Sequence, residues 1–94
     1  MITTFADKET RKIFTGEVSL EFPASIQRRA ARKLAAIHFA VNIEDLRVPP
    51  SNNLEKLKGD RTGQHSIRIN DKYRICFVWT RMNNAEQVEI TDYH

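Results

Sequence analysis

A single cysteine, Cys76, excludes an internal disulfide and any thiolate cluster for a metal. Set in an apolar strand pattern, it reads as a buried, inert thiol of a reducing compartment. Glycine is scarce too: Gly16, Gly59 and Gly63 are too few and too scattered to form a phosphate-cradling glycine loop. The prolines, Pro23, Pro49 and Pro50, confine strong backbone breaks to two places. No apolar run approaches the ~18 to 20 residues that cross a bilayer. The opening Met1-Ile2-Thr3-Thr4-Phe5 lacks the basic start and apolar middle of a signal peptide, so a cytoplasmic protein is expected. Neither metal-ligand spacing nor a cofactor motif is present, and no repeat or low-complexity tract divides the chain. Residues 1–94 are expected to form one domain whose core is small, since a chain this short buries only about two thirds of its unfolded surface.

What the chain does have is cationic charge and two clear periodicities. Fifteen Lys+Arg against twelve Asp+Glu give a formal +3, a mild preference for a polyanionic partner. Asp7 is placed to cap a short helix through Thr10, Arg11, Ile13 and Phe14, ending near Gly16, after a short strand over the first five residues. From Pro23 or Ser25 to Ala40, the apolar residues Ile26, Ala30, Leu34, Ile37 and Val41 form one stripe of a longer helix. Gln27, Arg28, Arg29, Arg32 and Lys33 fall off it. The plainer reading of these is a solvated basic face; the sharper one is a surface for phosphates or an acidic protein.

Beyond an irregular connection at Arg47-Val48-Pro49-Pro50-Ser51-Asn52-Asn53, the period changes to two: Leu54 to Leu57, His65 to Ile69, Tyr73 to Thr80 and Gln87 to Thr91. The expected fold is α+β, two N-terminal helices packed on a twisted, mainly antiparallel sheet of four to five strands. Register follows from the apolar sets. A three-residue turn of Asn70, Asp71 and Lys72 keeps Ile67, Ile69, Tyr73, Ile75, Phe77 and Trp79 on the helix side, pairing Ile69 with Tyr73, Arg68 with Arg74 and Ile67 with Ile75. Two guanidinium groups directly opposite each other are mildly destabilising unless an anion separates them, so the pair suggests a phosphate site. The turn Lys58-Gly59-Asp60-Arg61-Thr62-Gly63 adds two cations, although such basic turns are common on surfaces.

The chain closes on Asp92-Tyr93-His94, a carboxylate, a phenol and an imidazole led in by the alternating Gln87-Val88-Glu89-Ile90-Thr91. Solvated end residues would be the bland reading. Beside the arginine pair, these groups would instead supply the acid and base that phosphodiester cleavage requires. Strand parity raises a conflict: Asp92 and His94 share the side of Val88 and Ile90, leaving Tyr93 aimed at the arginine face.

Leu54-Glu55-Lys56-Leu57-Lys58-Gly59-Asp60-Arg61, Ser66-Ile67-Arg68-Ile69-Asn70-Asp71, Tyr73-Arg74-Ile75 and the closing Asp92-Tyr93-His94 resemble the HigB-type toxins of the RelE/ParE superfamily. The resemblance extends over nearly the whole chain and implies a RelE-like fold. It also implies a type II toxin that cuts messenger RNA in the ribosomal A site without a metal, restrained by a HigA-type helix-turn-helix antitoxin. Carried over by motif, Asp92 and His94 would be acid/base residues, Tyr93 would orient a nucleotide and Arg74 would stabilise the scissile phosphate. Lys58 would contact that phosphate, with Arg61 and Tyr73 as further RNA contacts. Arg68 joins them from the register argument alone. Glu55 departs from the histidine of some relatives, and His65 is a poor substitute because parity turns it toward the core. Two alternatives stay open: a noncatalytic ParE-like inhibitor of DNA gyrase, and a basic RNA-binding module that does not cut.

Overall fold

Asp7 opens helix α1 (Lys8–Phe14) as expected, its carboxylate accepting the Thr10 amide at 2.7 Å and so satisfying one of the helix's unpaired first-turn donors. Helix α2 (Ala24–Phe39) has no such side-chain cap. Pro23 precedes it with φ at −56°, which presets the entry, and the basic stretch supplies no carboxylate for its first turn. Ile26, Ala30, Leu34 and Ile37 form the buried stripe. Val41, expected to continue that stripe, is 75% exposed because the helix ends two residues before it. Gln27, grouped with the solvated face, instead spends its amide on the loop between the helices, donating to the Ser19 and Phe22 carbonyls and accepting from the Ser19 amide. The computed structural model describes residues 1–92, so Tyr93 and His94 lie outside the described residues. No described helix is long and apolar enough to cross a membrane.

The sheet is four-stranded and antiparallel, ordered β1 (Glu55–Lys56), β2 (His65–Arg68), β3 (Tyr73–Trp79) and β4 (Ala85–Asp92). The expected amino-terminal strand reduces to two parallel bridges on the outer edge of β4, Ile2 to Ala85 and Phe5 to Val88. The Pro-containing connection is not irregular throughout, since short 3-10 turns occupy Ile43–Arg47 and Pro50–Asn52. Across the β2–β3 hairpin the register is the one the apolar sets require, Ile67 opposite Ile75 and Arg68 opposite Arg74. Asn70 closes the turn by accepting the Lys72 and Tyr73 amides on its side chain.

β4 carries an irregularity that period-two counting does not foresee. Gln87 adopts φ of 53°, the register slips between Cys76 and Val78, and Ala85 and Val88, three residues apart, are both buried. This is a β-bulge, an extra residue that restores the phase of the remaining strand. Thr4 holds it by accepting the Gln87 amide at 2.8 Å. The core lies between α1, α2 and the inner sheet face, with Leu34, Ile37, Ile67, Ile75, Phe77 and Val88 fully buried at its centre. Each such side chain is worth about 1.5 to 3 kcal/mol of transfer free energy.

Candidate functional site

One residue out of step with the core, β2 and β3 present Ser66, Arg68, Arg74 and Cys76 to the other face of the sheet. Arg74 is the buried cation there, at 7% exposure. A guanidinium so removed from water demands acceptors, and the fold supplies them. Its Nε donates to Ser66 Oγ at 2.8 Å, and one terminal nitrogen donates to the Asn53 carbonyl at 2.7 Å and to the Ser66 carbonyl at 3.4 Å. The Glu55 carboxylate stands 4.0 Å away, itself held by the Asn53 side-chain amide at 3.1 Å. Asn53 occupies the left-handed region, φ 46°, as the residue that ends the Pro50–Asn52 turn. Asparagine tolerates that conformation better than most residues. The charge is thus fixed in orientation as well as in place.

The ladder pairing of Arg68 with Arg74 is the one the register argument required, and protein acceptors stand beside both guanidinium groups. The two residues are opposite in the ladder, but their guanidinium groups have different protein partners: Arg74 has its cradle, and Arg68 pairs with Asp71 on the adjoining turn. Arg61 has a partner as well. It crosses the outer face from the turn after β1 to Glu89 of β4 at 3.1 Å and also meets Gln64 at 3.0 Å. Leu57 and Cys76 are buried on that same face. Lys58, at the start of that turn, is exposed. Tyr73 lies on the other side, in the core cluster, with its ring edge-on to Phe22 at 6.1 Å and the Lys72 amine over it.

Asp92 is opposite Tyr73, and Thr91 is opposite Arg74. Strand parity therefore puts Asp92 one step from Arg74 along the strand and on the alternate side, as the period-two count implied. Its carboxylate is exposed and lies 3.5 Å from the Lys72 amine. The roles expected of Tyr93 and His94 fall outside the described residues. His65 points inward as expected, stacked on Phe77 at 6.3 Å, with Nδ1 buried and without a hydrogen-bond partner among the described residues. Burial first, then the positive charges of Lys56 and Arg47, hold its pKa below the ordinary 6.5 despite an opposing pull from Glu44.

Ser66, Asn53 and Glu55 are the residues sequence reasoning missed or left unassigned. Ser66 carried a usable signal, a small polar residue on the arginine face beside Arg68. Asn53 carried none, because its contribution is a backbone carbonyl.

A two-helix layer on a four-stranded antiparallel sheet places the chain in the RelE-like fold class. The chain of the YoeB–YefM complex from Staphylococcus aureus shares the fold, with a TM-score of 0.57 at 18% identity over 100% of this chain and 98% of that one. Residues 3–94 match the family described as RelE-like toxins of type II toxin–antitoxin systems, HigB, and the chain belongs to that family. It is 33% identical to Endoribonuclease HigB of Proteus vulgaris over 94 residues, all of both chains. It is also 44% identical to Toxin HigB-1 of Vibrio cholerae serotype O1 over 57 residues, 61% of this chain and 60% of that protein's length. A Haemophilus influenzae protein is 38% identical over 79 residues, 84% of this chain and 76% of that one.

Proposed function

We propose that this toxin is a ribosome-dependent endonuclease that cuts translated messenger RNA in the A site and is neutralised by a HigA-type helix-turn-helix antitoxin in the cytoplasm. The observation that carries the reading is Arg74. A desolvated cation locked by Ser66 and by the Asn53 carbonyl is a preorganised stabiliser of a phosphorane-like transition state, since it need not reorient when negative charge develops. A surface arginine that merely held a phosphate would have no need of such a cradle. The family membership and the relative named as an endoribonuclease point the same way.

In this reading the ribose 2′-hydroxyl loses its proton to a base and attacks the adjacent phosphorus. The 5′-oxygen leaves with a proton from an acid, giving a 2′,3′-cyclic phosphate and a 5′-hydroxyl. Asp92 and His94 divide the proton transfers, each worth about 10² to 10⁴ in rate. Tyr93 orients the nucleotide, Arg74 takes the charge, and Lys58 contacts the neighbouring phosphate. Arg61, Arg68 and Tyr73 are the outlying RNA contacts; Arg61 and Arg68 would exchange Glu89 and Asp71 for phosphate, and Tyr73 would act from the core side. Glu55, beside Arg74 and on its face, is a second carboxylate within reach of the chemistry.

The test is to map the 5′ ends of messages after brief expression of wild type, His94→Ala and Arg74→Lys. Breaks inside translated codons that vanish in both variants are expected. Breaks that persist undiminished in His94→Ala would overturn the catalytic assignment, and DNA damage without cut messages would replace it with gyrase inhibition.

A further inference from the structure

Next to the Arg74 cradle lies a groove of about 410 Å³ between α2 and the Pro50–Asn52 turn. Arg29, Arg32, Lys33 and Arg68 line it together with apolar surface from Ala36 and Pro49, and no acidic residue is among its described lining residues. Its inner cations are anchored. Arg29 donates to the Ile69 carbonyl at 3.2 Å, and the Lys33 amine to the side-chain oxygen of Asn52. Asn52 is buried and donates in turn to the Leu46 and Val48 carbonyls, so the groove wall is rigid. Burial, then the charges of Arg29 and Arg32, hold the Lys33 amine below its ordinary pKa of 10.5. Arg68 pairs with Asp71, whose side chain is 99% exposed, and exposed pairs of this kind contribute little and exchange readily.

We propose that this groove docks an acidic, amphipathic segment of the antitoxin, a partner that rests on the toxin–antitoxin reading above. Carboxylates on the segment complement the four cations, and its apolar side chains cover Ala36 and Pro49. That mixture of walls is what favours a peptide over RNA, whose phosphodiester backbone offers charge without apolar groups to place there. The location has a consequence. Asn52 forms one wall of the groove, while its neighbour Asn53 holds Arg74, and Arg68 is the ladder partner of Arg74. A segment seated in the groove therefore borders the cleavage site and competes with RNA at its margin. Inhibition would be direct, without a change in the toxin's fold.

Arg32→Glu and Ala36→Trp test this at two exposed helix positions, the first reversing a charge and the second filling the groove. The probe is a purified HigA-type antitoxin of the same source as the chain, titrated calorimetrically, with cleavage of a translated message measured in parallel. The expected result is a dissociation constant raised about tenfold or more in each variant, with cleavage unchanged. Unchanged antitoxin affinity in both variants would overturn the groove as a docking surface while leaving the toxin reading intact. Reduced cleavage with unchanged antitoxin affinity would assign the groove to RNA and overturn the proposal. A wild-type chain that binds no antitoxin and cuts no message would remove the parent reading, and the groove assignment with it.

Discussion

On the face of the sheet turned toward the helices, Ile67, Ile75 and Phe77 are fully buried; one residue away on the same strands, Ser66, Arg74 and Cys76 are buried almost as completely. The means differ. Helices cover the inner face, where exclusion of water is roughly proportional to apolar area and indifferent to direction. The outer face is shielded by turns and side chains, and its central group is charged, so burial there depends on directed hydrogen bonds that Arg74 donates to Ser66 and to the Asn53 carbonyl. Inner-face residues should accordingly set stability, and outer-face residues should set chemistry at a smaller cost in stability.

Phe77→Ala is the harshest probe of that division. Loss of a fully buried phenyl ring should cost about 3 to 5 kcal/mol, a large part of the total for a chain of this size, read as a fall in the urea midpoint. Arg74→Lys should separate the faces most clearly. It keeps the charge but loses the fork, so message cleavage should fall about 10²- to 10³-fold while unfolding shifts by only about 1 to 3 kcal/mol. An equal loss of both would mean that Arg74 is chiefly structural. Ser66→Ala frees the Nε of Arg74 without removing its charge. Cleavage should drop about tenfold, the equivalent of one net hydrogen bond to a charged group. If cleavage holds, orientation by Ser66 is unimportant.

The inner face also has a titrating member. His65 has its folded pKa below the unfolded value of 6.5, so the unfolded chain takes up the proton first as pH falls. The contribution is fully present above about pH 6.5 and is lost as pH falls through the lower folded value. The unfolding midpoint should decline across that window in wild type, and His65→Gln should flatten this component of the slope. The smallest effect is expected from Glu89→Gln. The Arg61–Glu89 pair is about one-third exposed on each side, and screened pairs contribute about 0.2 to 1 kcal/mol. A larger loss in thermal unfolding would show that this contact carries the outer face more than its exposure suggests.

Much of this arrangement is local and therefore legible in order along the chain. The Asp7 cap, the stripe from Ile26 to Ile37 and the alternation through Tyr73 to Trp79 each depend on neighbours within a turn or a pleat. The hairpin register was legible because only one pairing keeps both apolar sets on a single side. Gln87 resisted because its bulge is held by Thr4, a residue 83 positions away, and nothing in its own type signals positive φ. The end of α2 was placed to within a residue, but Val41 was wrongly counted in the buried stripe because a stripe records periodicity and not where the backbone leaves the helix.

The sequence by itself determined the two-layer α+β architecture, the sides on which the strands' apolar residues lie, and the placement of Arg74 opposite Arg68, since all three follow from periodicity. Only the tertiary structure decided that Arg74 is buried, that Ser66, Glu55 and a carbonyl of Asn53 surround it, and that Arg61 reaches Glu89 from 28 positions away. The physical reason is that periodicity reports which side a residue faces. What meets it there is set by loops and backbone carbonyls brought from distant parts of the chain, and they leave no pattern in the order of residues.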